Sequence, residues 1–125
     1  MNKGIAEAKR YIDNAKEILS TKAGKDNNHY SDKKYVRMAG NTAYNGVLEA
    51  LDVIVPSLPK RKRKSVEYYQ MELAKKDKKL LLLYNDTYQI LHLSLGYDGN
   101  LNVGVVKAGM EAAEELIEKV GRFIS

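Results

Sequence analysis

An all-α, single-domain fold, an antiparallel bundle of four to five helices, is predicted by three features of this sequence. Apolar residues recur at three- and four-residue steps through five stretches, and no period-two alternation lasts beyond a few residues. The two prolines, Pro56 and Pro59, share one short segment and leave long uninterrupted runs on either side for helices. A chain of 125 residues with 44% hydrophobic residues builds one core, so residues 1–125 read as one domain.

The first helix is predicted from Ile5, Ala8, Ile12, Ala15, Leu19 and Ala23, with Lys9, Arg10, Asp13, Lys16 and Glu17 on its other faces. Gly24 is expected to close it, and KDNNHYS to form a polar loop whose Ser31 or Asp32 caps the next helix. A second helix is expected over 32–55, with an apolar stripe of Val36, Ala39, Ala43, Val47, Ala50 and Ile54. Its glycines, Gly40 and Gly46, each weaken a helix by about 0.8–1 kcal/mol relative to alanine. Close approach of a neighbouring backbone is the reason that fits, and it places this helix at the bundle centre.

Pro56-Ser-Leu-Pro59 stops the second helix. Helical propensity resumes over 60–76 with Val66, Tyr69 and Leu73 on one face, and the stripe continues through Leu80, Tyr84, Tyr88, Leu91 and Leu95. Asp77 interrupts that stripe, which favours two helices hinged near 76–79 over a single long one. Gly96-Tyr-Asp-Gly99 is a stop and turn. Asn100 or Asn102 then caps the last helix, which buries Val105, Val106, Gly109, Ala112, Ala113, Leu116, Ile117, Val120 and Ile124. No sheet is expected.

Composition excludes several classes of function. With no cysteine there are no disulfides, thiolate chemistry or cysteine zinc sites. The longest apolar run, Leu80 to Tyr84, is far shorter than the ~18–20 residues of a membrane span. The segment MNKGIAEAKR lacks the apolar core of a secretory signal, so the expected location is the cytoplasm. A metal site in a bundle would want Glu-x-x-His pairs, whereas this chain offers Gln89-Ile-Leu-His92 and a His29 in a loop, so no metal or cofactor is expected. Neither a nucleophile triad nor a glycine-rich phosphate loop is present, and the chain reads as a non-enzyme.

Two features could carry binding. Arg37, Asn41 and Asn45 form a strip along the second helix, and His92 shares a strip with Asn85 and Gln89. With Tyr44 they would line a ligand-binding groove if the two strips faced each other, although polar strips are also the ordinary wet complement of an apolar stripe. The second feature is charge. The net charge is +5, yet residues 60–79 alone carry nine Lys or Arg against three acids, so the other 105 residues sum to −1. The run Lys60, Arg61, Lys62, Arg63, Lys64 is read as the start of a helix, where the macrodipole disfavours cations by a few tenths of a kcal/mol each, about 0.3 or more. Nucleic-acid phosphates, another anionic ligand, or the carboxylates Glu111, Glu114, Glu115 and Glu118 of a neighbouring subunit would offset that cost, while the alternative reading of the run is a solvated loop that aids solubility. Nine tyrosines beside one Phe and no Trp suit semi-buried packing and subunit contacts.

Three segments together, Ala8–Leu19 (AKRYIDNAKEIL), Tyr35–Tyr44 (YVRMAGNTAY) and Leu93–Gly99 ending in Gly-Tyr-Asp-Gly, resemble the HEPN-like helical bundles (higher eukaryotes and prokaryotes nucleotide-binding). The likeness is to a small bacterial branch of them, a domain of unknown function. It implies four or five antiparallel helices, homodimers, and roles as partners of nucleotidyltransferases or as RNA-cleaving toxins. Catalytic members of that family carry Arg, then four to six residues, then His. After Arg10, Arg37, Arg61, Arg63 and Arg122 no His stands at that distance, so no catalytic residue is carried over. The expectation is a non-enzymatic binding or protein-interaction module, homodimeric, with nucleic-acid binding by the 60–79 segment as the alternative and a degenerate RNase behind it.

Overall fold

A computed structural model describes residues 2–125, which form five α-helices and one short hairpin. α1 (Lys3–Thr21) starts at Asn2, whose side chain accepts hydrogen bonds from the N–H groups of Gly4 and Ile5. It buries Ile5, Ala8, Ile12, Ala15 and Leu19, the stripe read from the sequence. The helix ends three residues before Gly24, which sits beyond it in a left-handed turn with φ +66°.

The expectation of no sheet needs correction. β1 (Lys25–Asp26) and β2 (His29–Tyr30) pair antiparallel, and Asn27 adopts φ 57° in the two-residue turn between them. The hairpin is held from the far end of the chain: the Tyr30 N–H donates to the Leu101 carbonyl at 2.8 Å, and the Val103 N–H donates to the Asn28 carbonyl at 2.9 Å. Two-residue strands carry no alternation, so the sequence holds no signal for them.

α2 (Lys33–Leu51) is capped by Asp32, which accepts from the Lys34 N–H. It stops at Leu51, short of the expected Val55, and Asp52–Val55 form a turn. As the glycines imply, α2 is central and packs against α1 and the later helices. A Cβ on Gly40 would lie 2.8 Å from both the Gly96 nitrogen and the Leu91 carbonyl oxygen, and one on Gly46 would lie 2.8 Å from the Tyr11 Cβ of α1.

The largest correction falls on residues 60–65. α3 (Val66–Lys76) begins at Ser65, whose hydroxyl accepts from the Tyr68 N–H. Lys60 to Lys64 therefore lie in a 3-10 turn (Pro59–Arg61) and an extended strand of loop ahead of the helix, where the macrodipole no longer opposes them. Asp77 does separate two helices. Its backbone is extended (φ −162°, ψ 113°), its N–H closes α3 on the Leu73 carbonyl, and its carboxylate caps α4 (Lys78–Thr87) by accepting from the Lys79 and Leu80 N–H groups. From Tyr88 to Tyr97 the helix continues with π-type hydrogen bonding, which no apolar spacing announced.

Gly99, at φ +66°, turns the chain, and Asn102 caps α5 (Val103–Ile124) by accepting from the Val105 N–H. Ile124 is a further correction, since it is 40% exposed at the helix end and lies outside the core. α1 and α5 run antiparallel, bridged by Lys9–Glu118 at 3.4 Å and Lys16–Glu114 at 3.1 Å. α1, α2, α5 and the α4–π helix enclose one apolar core, and α3 folds back along α4. Among the described residues no helix is long and apolar enough to cross a membrane.

Candidate functional site

Of the five candidate groove residues, Tyr44 and His92 come into direct contact. Their rings stack at 4.9 Å between centroids, and Tyr88 stacks on the His92 ring as well, at 5.4 Å. Tyr84, Tyr88 and His92 follow at four-residue steps, the first closed by an α-type bond from the Tyr88 N–H to the Tyr84 carbonyl and the second inside the π-bonded segment. Further along the same seam Asn41 donates to the Gly96 carbonyl at 3.4 Å, and the Arg37 stem lies against Gly99. Arg37, Asn41 and Asn45 are exposed. Asn85 turns instead to Gln70 on α3, whose amide donates to it at 3.0 Å, Gln89 is exposed, and rings fill the space around Tyr44, which is only 8% exposed.

Open space lies elsewhere, along the α1–α5 seam. A cavity of about 610 Å³ opens between Leu19, Tyr30, Val106 and Met110. The α5 carboxylates considered as partners of a neighbouring basic run are largely engaged at home, Glu114 with Lys16, Glu118 with Lys9 and Glu111 with Lys107.

The basic run is divided by the fold. Lys60, Arg61, Lys62 and Arg63 are exposed, and among the described residues none of the four pairs with a carboxylate. Lys60 and Arg61 both have left-handed backbones, φ 58° and 53°, a conformation costing on the order of 1 kcal/mol per non-glycine residue. Lys64 behaves differently. Its side chain is 11% exposed and its ammonium donates to Asp52 Oδ1 at 2.7 Å and to the Val55 carbonyl at 3.1 Å, above the Tyr69 ring at 5.7 Å.

Asp52 joins this loop to the interior. The same Oδ1 accepts the Tyr69 hydroxyl at 2.7 Å, the Tyr69 ring packs on Tyr84 at 5.6 Å, and the Tyr84 and Tyr44 hydroxyls share a hydrogen bond at 2.9 Å. Burial holds the Tyr69 phenol far above its ordinary pKa, reinforced by its hydrogen bond to Asp52 and that carboxylate's charge. Tyr84, fully buried, is raised for the same first reason and then by its bond to Tyr44. Sequence reasoning missed Asp52 and Lys64 as partners. They stand twelve positions apart with two prolines between them, and no periodicity connects a helix end to the far side of a turn.

A solved relative shares this architecture. Residues 3–122 match the family described as Domain of unknown function (DUF5618). A solved structure of a protein of unknown function from Dyadobacter fermentans is 48% identical, with a TM-score of 0.89 over 95% of this chain and 94% of that one. No curated protein matches.

Proposed function

Taking as premise that this chain belongs to the DUF5618 family, we propose that it is a non-enzymatic, cytoplasmic binding module, HEPN-like in ancestry, that engages single-stranded nucleic acid at Lys60–Arg63. One observation carries this reading: four adjacent cations stand in solvent, paired with no carboxylate among the described residues, on a loop whose base is anchored to the core. On the helices Lys9, Lys16, Lys75 and Lys119 each answer to an acid. Uncompensated, closely spaced cations meet a phosphate backbone by releasing its counterions, and that gain needs no particular base sequence.

Fluorescence anisotropy with a labelled oligouridine tests it. Four phosphate contacts give a log–log salt slope near −2.8, at about −0.7 per contact on a single strand. Replacing Lys60, Arg61, Lys62 and Arg63 together by Gln flattens that slope, whereas His92→Ala, in the ring-filled seam, leaves it unchanged. No cleavage products accumulate with any of these proteins. Absence of binding at ~50 mM salt, where such contacts are strong, removes the nucleic-acid reading.

A protein-partner reading has its own observation. Met71 on α3 and Leu82 on α4 are 49% and 55% exposed on the outer helical hairpin. The HEPN-like resemblance supports a homodimer and a nucleotidyltransferase as the partners such surfaces would serve. Light scattering at micromolar concentration distinguishes a dimer, at twice the 14.1 kDa chain mass, from a monomer.

A further inference from the structure

We propose that Lys64 is a positioning residue for the Lys60–Arg63 surface and not one of its phosphate-contacting cations: clamped by Asp52, it holds the four preceding residues in their exposed loop, whose first two are left-handed. This rests on the reading of that loop as a phosphate-binding surface.

The run is chemically uniform, but its fifth member alone is withdrawn from solvent. The Lys64 ammonium has two oxygen acceptors, the Asp52 carboxylate at 2.7 Å and the Val55 carbonyl at 3.1 Å, and an aromatic face beneath it. To reach a phosphate it would have to leave a half-exposed carboxylate that also accepts the Tyr69 hydroxyl. The same contacts fix both ends of the loop. Val55 and Pro56 on the entering side are tied by Lys64 and by the Tyr68 hydroxyl, which donates to the Pro56 carbonyl at 3.0 Å. Tyr69 on the leaving side is tied to Asp52. Between these ends the Lys62 N–H closes the turn on the Pro59 carbonyl at 3.3 Å.

A flexible tetrad of long cations must be ordered when it binds, and each rotamer-rich side chain or loop segment so ordered weakens the complex. An anchored base removes the backbone part of that loss in advance. It also accounts for the two left-handed residues, because a strained turn persists only where its surroundings over-determine it.

The test uses the full chain and three single variants, Lys64→Met, Asp52→Asn and Lys62→Gln, each checked by circular dichroism. Two quantities are read: the salt slope for a labelled oligouridine, and the rate of trypsin cleavage after Arg61 and Arg63. Lys62→Gln should flatten the slope by about 0.7, one phosphate contact. Lys64→Met should weaken binding at every salt concentration with the slope unchanged, and should speed cleavage by about ten-fold, the scale set by losing a hydrogen bond to a charged group. Asp52→Asn, close to isosteric, should speed cleavage similarly and steepen the slope by about 0.7, because it frees Lys64 to reach phosphate. A Lys64→Met slope flattened to the same degree as that of Lys62→Gln overturns the proposal. So does cleavage at the wild-type rate in both Lys64→Met and Asp52→Asn, a result independent of nucleic acid. Failure of the underlying reading looks different: all four proteins then show no salt-dependent binding, and the cleavage rates alone decide whether Lys64 anchors the loop.

Discussion

Gly40→Ala is expected to destabilise the protein even though alanine is the better helix former. In an open helix interior the exchange gains about 0.8–1 kcal/mol. At position 40 the new methyl would meet the Leu95 Cβ at 2.5 Å and the backbone of the π-helical turn, the Gly96 nitrogen and Leu91 oxygen, both at 2.8 Å. Neither backbone atom can swing aside as the tip of a flexible side chain would, so α2 and the π-helical segment must separate. Overpacking of this kind costs about 1–3 kcal/mol, and a clash with backbone belongs at the upper end of that range. The net change is a loss of about 1–2 kcal/mol, or roughly 3–8 °C in Tm for a domain of this size. Gly121 provides the control, because a Cβ there meets nothing within 4 Å. Gly121→Ala should be neutral or stabilising by up to about 1 kcal/mol. Thermal unfolding monitored by circular dichroism measures both. If Gly40→Ala raises Tm as Gly121→Ala does, close packing of α2 on the π-helical turn is not what requires glycine at position 40.

The interior sets three further outcomes. Tyr44→Phe and Tyr84→Phe should each destabilise by about 1–2 kcal/mol, and the double variant by less than their sum, because each single change strips a partner from a buried hydroxyl; urea unfolding of the cycle reads the coupling. The raised phenol pKa values of Tyr44, Tyr69 and Tyr84 mean that the folded state keeps protons that the unfolded chain gives up near pH 10. Their stabilisation is complete below that pH and declines as pH rises above it; urea midpoints between about pH 9 and 12 should fall, and less steeply in Tyr69→Phe. For Asp77, the N–H donor of Leu80 holds the carboxyl below its ordinary value, with Lys119 assisting, so its stabilisation is present above the usual carboxylate range and lost as pH falls through it. Asp77→Ala should cost about 1 kcal/mol at neutral pH and less at pH 3, and equal losses at both would count against a charge-assisted cap.

Local chemistry made most of the helices legible. The stripes of α1 and α2 lie in the core as periodicity places them, except Ile54, which falls past the end of α2 and is only half-buried; Asp77 breaks the chain because an Asx side chain can cap the next helix, and Gly99 turns where a left-handed residue is needed. The glycines of α2 foretold close packing, since their weakness in a helix demanded a compensating neighbour. Each of these conclusions depends on residues within one or two turns of each other.

What tertiary structure decided depends on partners distant in the chain. The hairpin exists because residues 101–103 supply its outer hydrogen bonds, and the π-helical turn accompanies a glycine-lined surface of α2. On propensity alone Lys60–Lys64 could begin a helix. Ser65 caps the helix instead, and Asp52 takes Lys64, so that one cation becomes an anchor and four become a surface. The charge of the run was therefore readable from composition, while its division was not, because a carboxylate at the end of another helix selects which lysine to bind.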